Sequence, residues 1–277
     1  MAYNRILTIQ DVSCLGQCSL TVALPILSAC GHETCIIPSA VLSTHTGQFK
    51  GYTFRDLSED IPLIRNHWEK EKISFDAIYT GYLGSAREVN YVIDIFKGLL
   101  RQNGTVIVDP AMGDNGKLYA GFDNGYVQAV KKLCAEAQVL IPNITEAALL
   151  TGIEYREEYD REYTEALICG LKEMGSKSVV LTGVGYEREH TGVLVSDDVE
   201  TRYYMHRKIP RTCHGTGDIF ASVFTGVYMK GRSIFESAKI AADFTFKSIQ
   251  NTLDDPEHWY GVKFETVLPE LIKELEN

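Results

Sequence analysis

The sequence predicts a three-layer α/β/α fold in which a mainly parallel central sheet carries helices on both faces. Short β-rich runs alternate with segments of helical period along the chain, which is the pattern of βαβ units. Several of the runs are almost continuously apolar, as in strands that helices cover on both sides. No Pro- or Ser-rich linker and no internal repeat interrupts the alternation, so we expect residues 1–277 to form a single domain.

In the first part of the chain, the expected strands are residues 5–10, 34–37, 77–80 and 105–108, and the expected helices are 20–30 and 57–72. Pro38 is expected to end the second strand and to open a polar loop over residues 39–53. A further helix is expected to begin after Ser85, an N-cap with Glu88 as its capping-box partner, and to end before Gly104.

The second part repeats this alternation and then becomes helical. The glycines and Asn115 within residues 113–121 predict a flexible excursion. The expected helices are 124–135, one that opens at Thr145, 162–174, 217–230, 234–251 and 264–275. The expected strands are 139–141 and 178–181, followed by an antiparallel hairpin of 192–195 and 202–205.

Composition excludes several classes of protein. The chain is 45% apolar and 23% charged, which rules out a wholly disordered protein. It carries 37 acidic and 27 basic residues, a net charge of −10, which argues against nucleic-acid and membrane partners. No apolar run approaches the length of a membrane span, and the first residues lack a signal-peptide core. With seven scattered cysteines, these features predict a cytoplasmic protein with reduced thiols.

The strongest local signal is the segment His214–Gly–Thr–Gly–Asp218, directly before a predicted helix. Gly215 and Gly217 allow a tight turn and a close approach of an anion to the backbone amides. The free N–H groups of the helix N-terminus point toward the same place, which favours a phosphate. The alternative is that Asp218 only caps the helix. The glycine spacing breaks the dinucleotide fingerprint, because Phe220 stands where a third glycine is needed.

Acidic and amide side chains follow two further predicted strands. Asp109 and Asp114 come after a buried strand, in a pattern that suits Mg²⁺ with phosphate oxygens. Asn143 and Glu146 follow the next strand, three residues apart. The alternatives are that Asp109 fixes the turn at Pro110 and that Asn143 and Glu146 cap the coming helix.

Two polar or aromatic loops complete the predicted rim of the sheet. His45 and Thr46 offer donors and acceptors to a small polar ring, although the segment taken alone favours a plain polar loop. Tyr82 follows a strand end and offers a stacking surface, with core packing as its alternative. Ligands of such sheets bind at the carboxyl ends of the strands, so the convergence of these segments predicts a phosphoryl-transfer site.

The ordered set of segments resembles the ribokinase superfamily and, within it, the pyridoxal (vitamin B6) kinases. The matching segments are Ile-Gln at 9–10, S-T-H-T-G at 43–47, T-G-Y-L-G-S at 80–85, V-D-P-A-M-G-D-N-G-K-L-Y at 108–119, P-N-I-T-E-A at 142–147 and H-G-T-G-D at 214–218. They span about four-fifths of the chain in the order of the family. G-T-G-D is specific to the superfamily, and the combination of H-T-G, G-Y-L-G-S and D-P-x-M-G-D is specific to the B6 branch.

The resemblance implies a ribokinase-like kinase that uses ATP and Mg²⁺ to phosphorylate the 5′-hydroxymethyl group of pyridoxal, pyridoxine or pyridoxamine, and it suggests a homodimer. Asp218 would accept the proton of that hydroxyl, and Gly215, Thr216 and Gly217 would form the anion hole. The implied metal ligands are Asp109, Asp114 and Glu146, and the implied nucleotide-binding residues are Asn143, Glu146, Thr182, Asp114 and Tyr119. The implied substrate-binding residues are His45, Thr46, Tyr82 and His214, with Asp11 or Ser13.

Departures from the family pattern leave alternatives open. After Ile9-Gln10 the family often carries Ser-His, whereas this chain has Asp11-Val12-Ser13, so either Asp11 or Ser13 is expected at the ring. Asp11 also favours the related hydroxymethylpyrimidine kinases as an alternative. A non-catalytic B6-binding protein is a second alternative, against which the retained G-T-G-D segment argues.

Overall fold

The computed structural model describes residues 3–211 and 213–276. Its elements in chain order are β1 (Arg5–Ser13), α1 (Leu20–Ala29), β2 (Glu33–Leu42), β3 (Phe54–Asp56), α2 (Asp60–Lys70), β4 (Phe75–Thr80), α3 (Ala86–Leu99), β5 (Leu100–Val108), β6 (Gly113–Asp114), β7 (Lys117–Leu118), α4 (Asn124–Ala135), β8 (Val139–Leu140), α5 (Ile144–Thr151), α6 (Arg161–Glu173), β9 (Ser178–Val184), β10 (His190–Ser196), β11 (Thr201–Arg207), α7 (Thr216–Tyr228), α8 (Ile234–Gln250), a 3₁₀ turn (Phe264–Thr266) and α9 (Leu268–Glu276).

A nine-stranded sheet runs through the molecule in the order β11-β10-β9-β8-β5-β4-β1-β2-β3. Every neighbouring pair from β9 to β2 is parallel, whereas β3, β10 and β11 are antiparallel additions at the two edges. The predicted mainly parallel α/β fold is therefore confirmed. The predicted antiparallel hairpin also forms, as β10 and β11.

The helices cover the sheet on both faces because its strand residues alternate between two apolar cores. In β1, Leu7 and Ile9 pack toward one core, and Ile6 packs toward the other. The first core contains residues of α2 to α6, and the second contains residues of α1, α7, α8 and α9. All three strand residues are fully buried, which explains the continuously apolar runs of the sequence. No helix within residues 3–211 and 213–276 has the length and apolar character needed to cross a bilayer.

Pro38 does not end the second strand, contrary to the sequence prediction. β2 continues to Leu42, and Pro38 pairs with Gln10 next to the point where the register of β1 and β2 shifts. A proline is tolerated at such an irregularity because the ladder there does not need its missing N–H. The continuation carries the chain to the carboxyl edge of the sheet before the loop at 43–53 begins.

The segment around Ser85 behaves partly as predicted. The Ser85 hydroxyl accepts a hydrogen bond from the Glu88 N–H, so the N-cap is confirmed. The Glu88 carboxylate instead accepts from the Gly84 N–H at 2.7 Å and from the Ser58 hydroxyl at 2.8 Å, so its capping-box role was wrong. α3 ends at Leu99 rather than before Gly104, because Leu100 is extended and already pairs with Phe75 of β4.

The predicted flexible excursion after Asp109 contains a tight hairpin. β6 and β7 are joined by Asn115 and Gly116, with φ values of 50° and 74°. Two successive left-handed residues are the requirement of a type I′ turn, and Asn-Gly is its preferred sequence. The Gly116 N–H donates to the Thr145 hydroxyl at 2.9 Å, which ties the hairpin to the start of α5.

Candidate active site

The predicted site residues converge where β1, β4, β5, β8 and β9 end and where α5 and α7 begin. The charges of Asp109, Asp218 and Glu146 act on one another or on shared neighbours, so these three carboxylates lie close together. The hydroxyl of Tyr119 faces the same three charges together with Asp114. Separate segments of the chain thus build one strongly acidic rim.

The glycine-rich segment forms the start of α7. Gly215 is its N-cap and lies in the left-handed region at φ 75°, and a Cβ there would lie 1.7 Å from the Gln17 carbonyl oxygen. Only glycine fits this position. A Cβ on Gly217 would meet no atom within 4 Å, so the space in front of its backbone is open. Within the described chain no side chain caps α7, which leaves its first N–H groups directed at that space.

Asp218 lies in the first turn of α7, beside the N–H groups of the glycine segment. Burial of the carboxyl raises its pKa to about 7. The negative charge of Asp11 raises this pKa further, whereas the nearby backbone N–H of Ser19 lowers it. A carboxylate with a pKa near neutrality is matched to proton transfer at physiological pH, which a merely capping aspartate does not need.

Asp109 and Glu146 are a second pair of buried carboxyl groups, 8% and 3% exposed. Burial raises the pKa of Asp109 well above its usual value, and the nearby charges of Glu146 and Asp218 raise it further. Burial likewise raises the pKa of Glu146 to about 7, although its carboxylate accepts backbone hydrogen bonds from Asn143 at 2.8 Å and Met112 at 3.2 Å. A cation between these groups would favour their ionised forms.

Asn143 and Glu146 also form the capping arrangement that was the alternative reading of their spacing. The Asn143 side chain accepts from the Glu146 N–H at 2.9 Å and donates to the Gly113 carbonyl at 2.9 Å. Thr182 lies beside Asn143 through an isolated parallel bridge, and its hydroxyl donates to the Pro142 carbonyl at 3.2 Å. These contacts hold β8, β9 and the β6–β7 hairpin together at the cleft, and a nucleotide role for these residues stays a prediction.

Asp114 lies farther out on the hairpin. Its carboxylate accepts hydrogen bonds from the backbone and the side chain of Asn115, at 2.8 and 3.0 Å. Tyr119 is 41% exposed, and burial of its hydroxyl near the carboxylates raises its pKa. Among the described residues no three His, Cys, Asp or Glu side chains gather into a ready-made metal site. The predicted set of Asp109, Asp114 and Glu146 is thus not assembled by the protein alone.

Aromatic rings stack next to the carboxyl end of β4. Tyr82 stacks on Phe122, which stacks on Tyr126 with ring centroids 3.8 Å apart. Burial raises the pKa of Tyr82 to about 12, and the charge of Asp11 contributes to this shift. Tyr82 therefore packs against the aromatic stack and lies near Asp11.

His45 is bound on both ring nitrogens. Its Nδ1 accepts from the Gly47 N–H at 3.1 Å, so Nε2 carries the proton and donates to the Tyr260 carbonyl at 2.8 Å. Its ring lies 4.9 Å from that of His214. His45 thus joins the loop at 43–53 to the segment before the C-terminal helix, whereas Thr46 beside it is exposed.

Asp11 and Ser13 are both buried, 5% and 1% exposed. The Asp11 carboxylate accepts hydrogen bonds from the hydroxyls of Ser13 at 3.0 Å and Ser19 at 2.6 Å. Sequence reasoning missed Ser19, which donates to Asp11 and lies near Asp218, because no motif marks it. It also missed Arg211, whose guanidinium donates to four carbonyl groups of the segment 252–258.

Comparison with known proteins identifies the family of the chain. A family model described as phosphomethylpyrimidine kinase matches residues 52–261. The chain belongs to the phosphomethylpyrimidine kinase family. A pyridoxal kinase from Arabidopsis thaliana is 28% identical to this chain over 263 residues, which cover 91% of this chain and 83% of that protein.

Solved structures of the phosphomethylpyrimidine kinase family and its relatives match the whole fold. Pyridoxal kinase from Lactobacillus plantarum is 30% identical, with a TM-score of 0.92 and 99% of both chains covered. A candidate phosphomethylpyrimidine kinase from Bacteroides thetaiotaomicron, solved with pyridoxal, is 36% identical, with a TM-score of 0.92 and coverage of 98% of this chain and 96% of that one. The resemblance to ribokinase-like pyridoxal kinases is confirmed, and the chain is a kinase.

Proposed function

We propose that this kinase transfers the γ-phosphoryl group of ATP to the 5′-hydroxymethyl group of pyridoxal, pyridoxine or pyridoxamine. The observation that carries the proposal is the buried Asp218 at the open, glycine-rich start of α7, with Asp11 as the charged neighbour that it shares with the Tyr82 ring. This arrangement offers a proton acceptor, an anion cradle and a stacking surface. The 36% identical Bacteroides protein solved with pyridoxal supports the choice of substrate.

Asp218 accepts the proton of the vitamer hydroxyl. A free alcohol is far less acidic than a carboxyl group, so the proton moves as the new O–P bond forms, when the hydroxyl becomes acidic. The raised pKa of Asp218 makes its carboxylate a stronger acceptor than an ordinary aspartate. The N–H groups around Gly215 and Gly217 stabilise the charge on the transferring phosphoryl group.

The acidic pair fits a divalent cation. Asp109 and Glu146 are buried, close to one another and shifted toward protonation, which is the condition that a bound cation relieves. Mg²⁺ prefers one or two carboxylates together with water and phosphate oxygens. It therefore does not need Asp114, the third predicted ligand, which lies farther out on the β6–β7 hairpin. Such an ion would neutralise charge on the ATP phosphates.

The remaining roles follow the position of each side chain. Tyr119 and Asp114 on the acidic rim would approach the phosphates, and Asn143 and Thr182 would border the nucleotide. His45, Thr46, Tyr82 and His214 would surround the ring on the opposite side, with Asp11 or Ser13 beneath it.

A homodimer, a cytoplasmic location and the organisation of residues 1–277 as one domain are further parts of the proposal. Light scattering of the purified chain tests the dimer.

Hydroxymethylpyrimidine is the second candidate substrate, because the matching family model carries the name phosphomethylpyrimidine kinase. Its hydroxymethyl group on a flat heteroaromatic ring presents the same reacting group as a B6 vitamer. A non-catalytic B6-binding protein is disfavoured by the base-like Asp218, which binding alone does not require.

A phosphorylation panel tests the proposal. Purified enzyme with ATP and Mg²⁺ is offered pyridoxal, pyridoxine, pyridoxamine and hydroxymethylpyrimidine, and each phosphate ester is quantified. We expect the highest kcat/KM on a B6 vitamer, and Asp218→Ala to lose most of kcat while ATP affinity changes little. A preference for hydroxymethylpyrimidine would support the second candidate. Normal turnover by Asp218→Ala would reject the assignment of the base.

A further inference from the structure

Ser19 has a backbone conformation that non-glycine residues rarely adopt. Its φ is 54° and its ψ is −129°, although the residue carries a side chain and is only 5% exposed. Such conformations are costly for any residue with a Cβ and persist only where the surroundings enforce them. They concentrate at functional sites, so the position of Ser19 beside Asp218 calls for a physical explanation.

Ser19 is also an unusual N-cap. It precedes α1, and its carbonyl accepts the first helical hydrogen bonds from Val22 and Ala23. An N-cap serine normally has extended dihedrals and accepts an N–H bond through its hydroxyl. Here the hydroxyl caps nothing and donates to the Asp11 carboxylate at 2.6 Å. The Ser19 hydroxyl thus binds the buried Asp11 carboxylate and does not cap α1.

The consequence of this conformation is the position of the Ser19 N–H, which lies beside the Asp218 carboxylate and favours its ionised form. The preceding residues are packed against the glycine segment, because a Cβ on Gly215 would meet the Gln17 carbonyl at 1.7 Å and the Cys18 sulfur at 3.4 Å. Ser19 also pairs with Val12 of β1 through an isolated antiparallel bridge. The loop between β1 and α1 is therefore locked between Asp11 and the start of α7.

We propose that Ser19 is a positioning residue for Asp218, and that Asp11 acts on the base through the Ser19 hydroxyl. Asp11 holds the hydroxyl, the hydroxyl holds the glycine-like backbone conformation, and that conformation directs the N–H to the base. The inference rests on the proposed role of Asp218 as proton acceptor. It assigns Asp11 a task that does not require contact with the vitamer ring.

Two substitutions of Ser19 separate the hydroxyl from the backbone conformation. Ser19→Ala keeps the Cβ but loses the anchor, so the backbone relaxes and the N–H turns away from Asp218. We expect kcat to fall by about tenfold to a hundredfold, with KM for ATP within about twofold of wild type. Ser19→Gly adopts the same dihedrals without strain, so it should recover most of this loss. Ser233→Ala, which removes an ordinary N-cap serine at α8, is the matched control and should lower only the melting temperature.

The pH profile of kcat/KM is a readout that a purely structural role would not move. The groups that face Asp218 are Asp11, Cys18, Tyr79, Asp109 and Tyr119. Loss of the Ser19 N–H from this position removes a group that favours the ionised carboxylate, so the acid limb of the Ser19→Ala profile should move to higher pH. Asp11→Asn keeps an oxygen acceptor for Ser19 and removes a charge, so its limb should move to lower pH.

A double-mutant cycle decides whether Asp11 acts through Ser19. We expect Asp11→Ala to lower kcat about as much as Ser19→Ala in the wild-type background and far less in the Ser19→Gly background. Equal losses in both backgrounds would reject the proposal, as would a Ser19→Ala enzyme that behaves like Ser233→Ala. If Ser19→Ala does not fold, the cycle with Ser19→Gly still gives the answer.

The same measurements separate this inference from the proposed function. A wild-type enzyme that phosphorylates none of the B6 vitamers would overturn the proposed function. An active wild-type enzyme, an inactive Asp218→Ala variant and an unaffected Ser19→Ala variant would together overturn the inference alone.

Discussion

The pH dependence of turnover follows from the position of Asp218 and is the sharpest test of the site. The carboxyl must be ionised to accept a proton, and burial raises its pKa to about 7, from an ordinary value of 3.8. Activity is therefore lost as pH falls through about 7, because the protonated form of Asp218 cannot act as the base.

The size of the effect follows from the ionised fraction. With a pKa of about 7, roughly one tenth of the enzyme is ionised at pH 6 and roughly nine tenths at pH 8, so kcat/KM should change about tenfold between them. An aspartate with the ordinary value of 3.8 would be ionised at both pH values and would give no change.

The assay is initial-rate kinetics between pH 5.5 and pH 8.5 at saturating ATP and Mg²⁺ (about half-unit steps resolve a single titration). Asp11→Asn is the control, because removal of one negative charge lowers the pKa of Asp218 while the ionisation of the vitamer is unchanged. Its acid limb should lie at lower pH than that of wild type. A profile that is flat between pH 6 and pH 8 would refute the reasoning, and an unmoved limb in Asp11→Asn would assign the titration to another group, such as Glu146.

Three further predictions test the cradle, the core and the acidic pair. Gly215→Ala should lower both the melting temperature and kcat, since its Cβ would lie 1.7 Å from a carbonyl oxygen, whereas Gly217→Ala should lower kcat alone because its methyl group enters open space. Equal melting temperatures for the two variants would contradict this. Phe224→Ala should cost about 3–5 kcal/mol in urea unfolding because the ring is fully buried, whereas Leu63→Ala, 65% exposed, should change stability by less than about 0.5 kcal/mol. ATP affinity by calorimetry should be much weaker in EDTA than with Mg²⁺, and equal affinities would undo the charge-neutralisation argument.

Local pattern was a good guide to the elements and a poorer guide to their ends. The helix at Asn124–Ala135 forms with its predicted bounds, because its apolar period and its Asp123 cap agree. α3 ends at Leu99, five residues before Gly104, because strand pairing of Leu100 with β4 outcompetes further helix there. Pro38 stays in β2 because a neighbouring register shift removes the need for its N–H. Such outcomes depend on partners far along the chain.

The candidate site shows the same division. Motif order alone placed Asp218, Asp109, Glu146 and Tyr82 at one edge of the sheet, because parallel strands end together and each motif follows a strand. Sequence reasoning could not separate a capping role from a ligand role for Asn143, since the same spacing serves both.

By itself, the sequence determined the layer architecture, the edge of the sheet that carries the chemistry and the kind of reaction. These depend on periodicity and on motifs, which are local properties of the chain. The tertiary structure decided the pKa of Asp218, the pairing of Asp109 with Glu146 and the enforced conformation of Ser19. The physical reason is that burial, electrostatic coupling and backbone strain depend on which distant segments meet, and no spacing along the chain encodes that meeting directly.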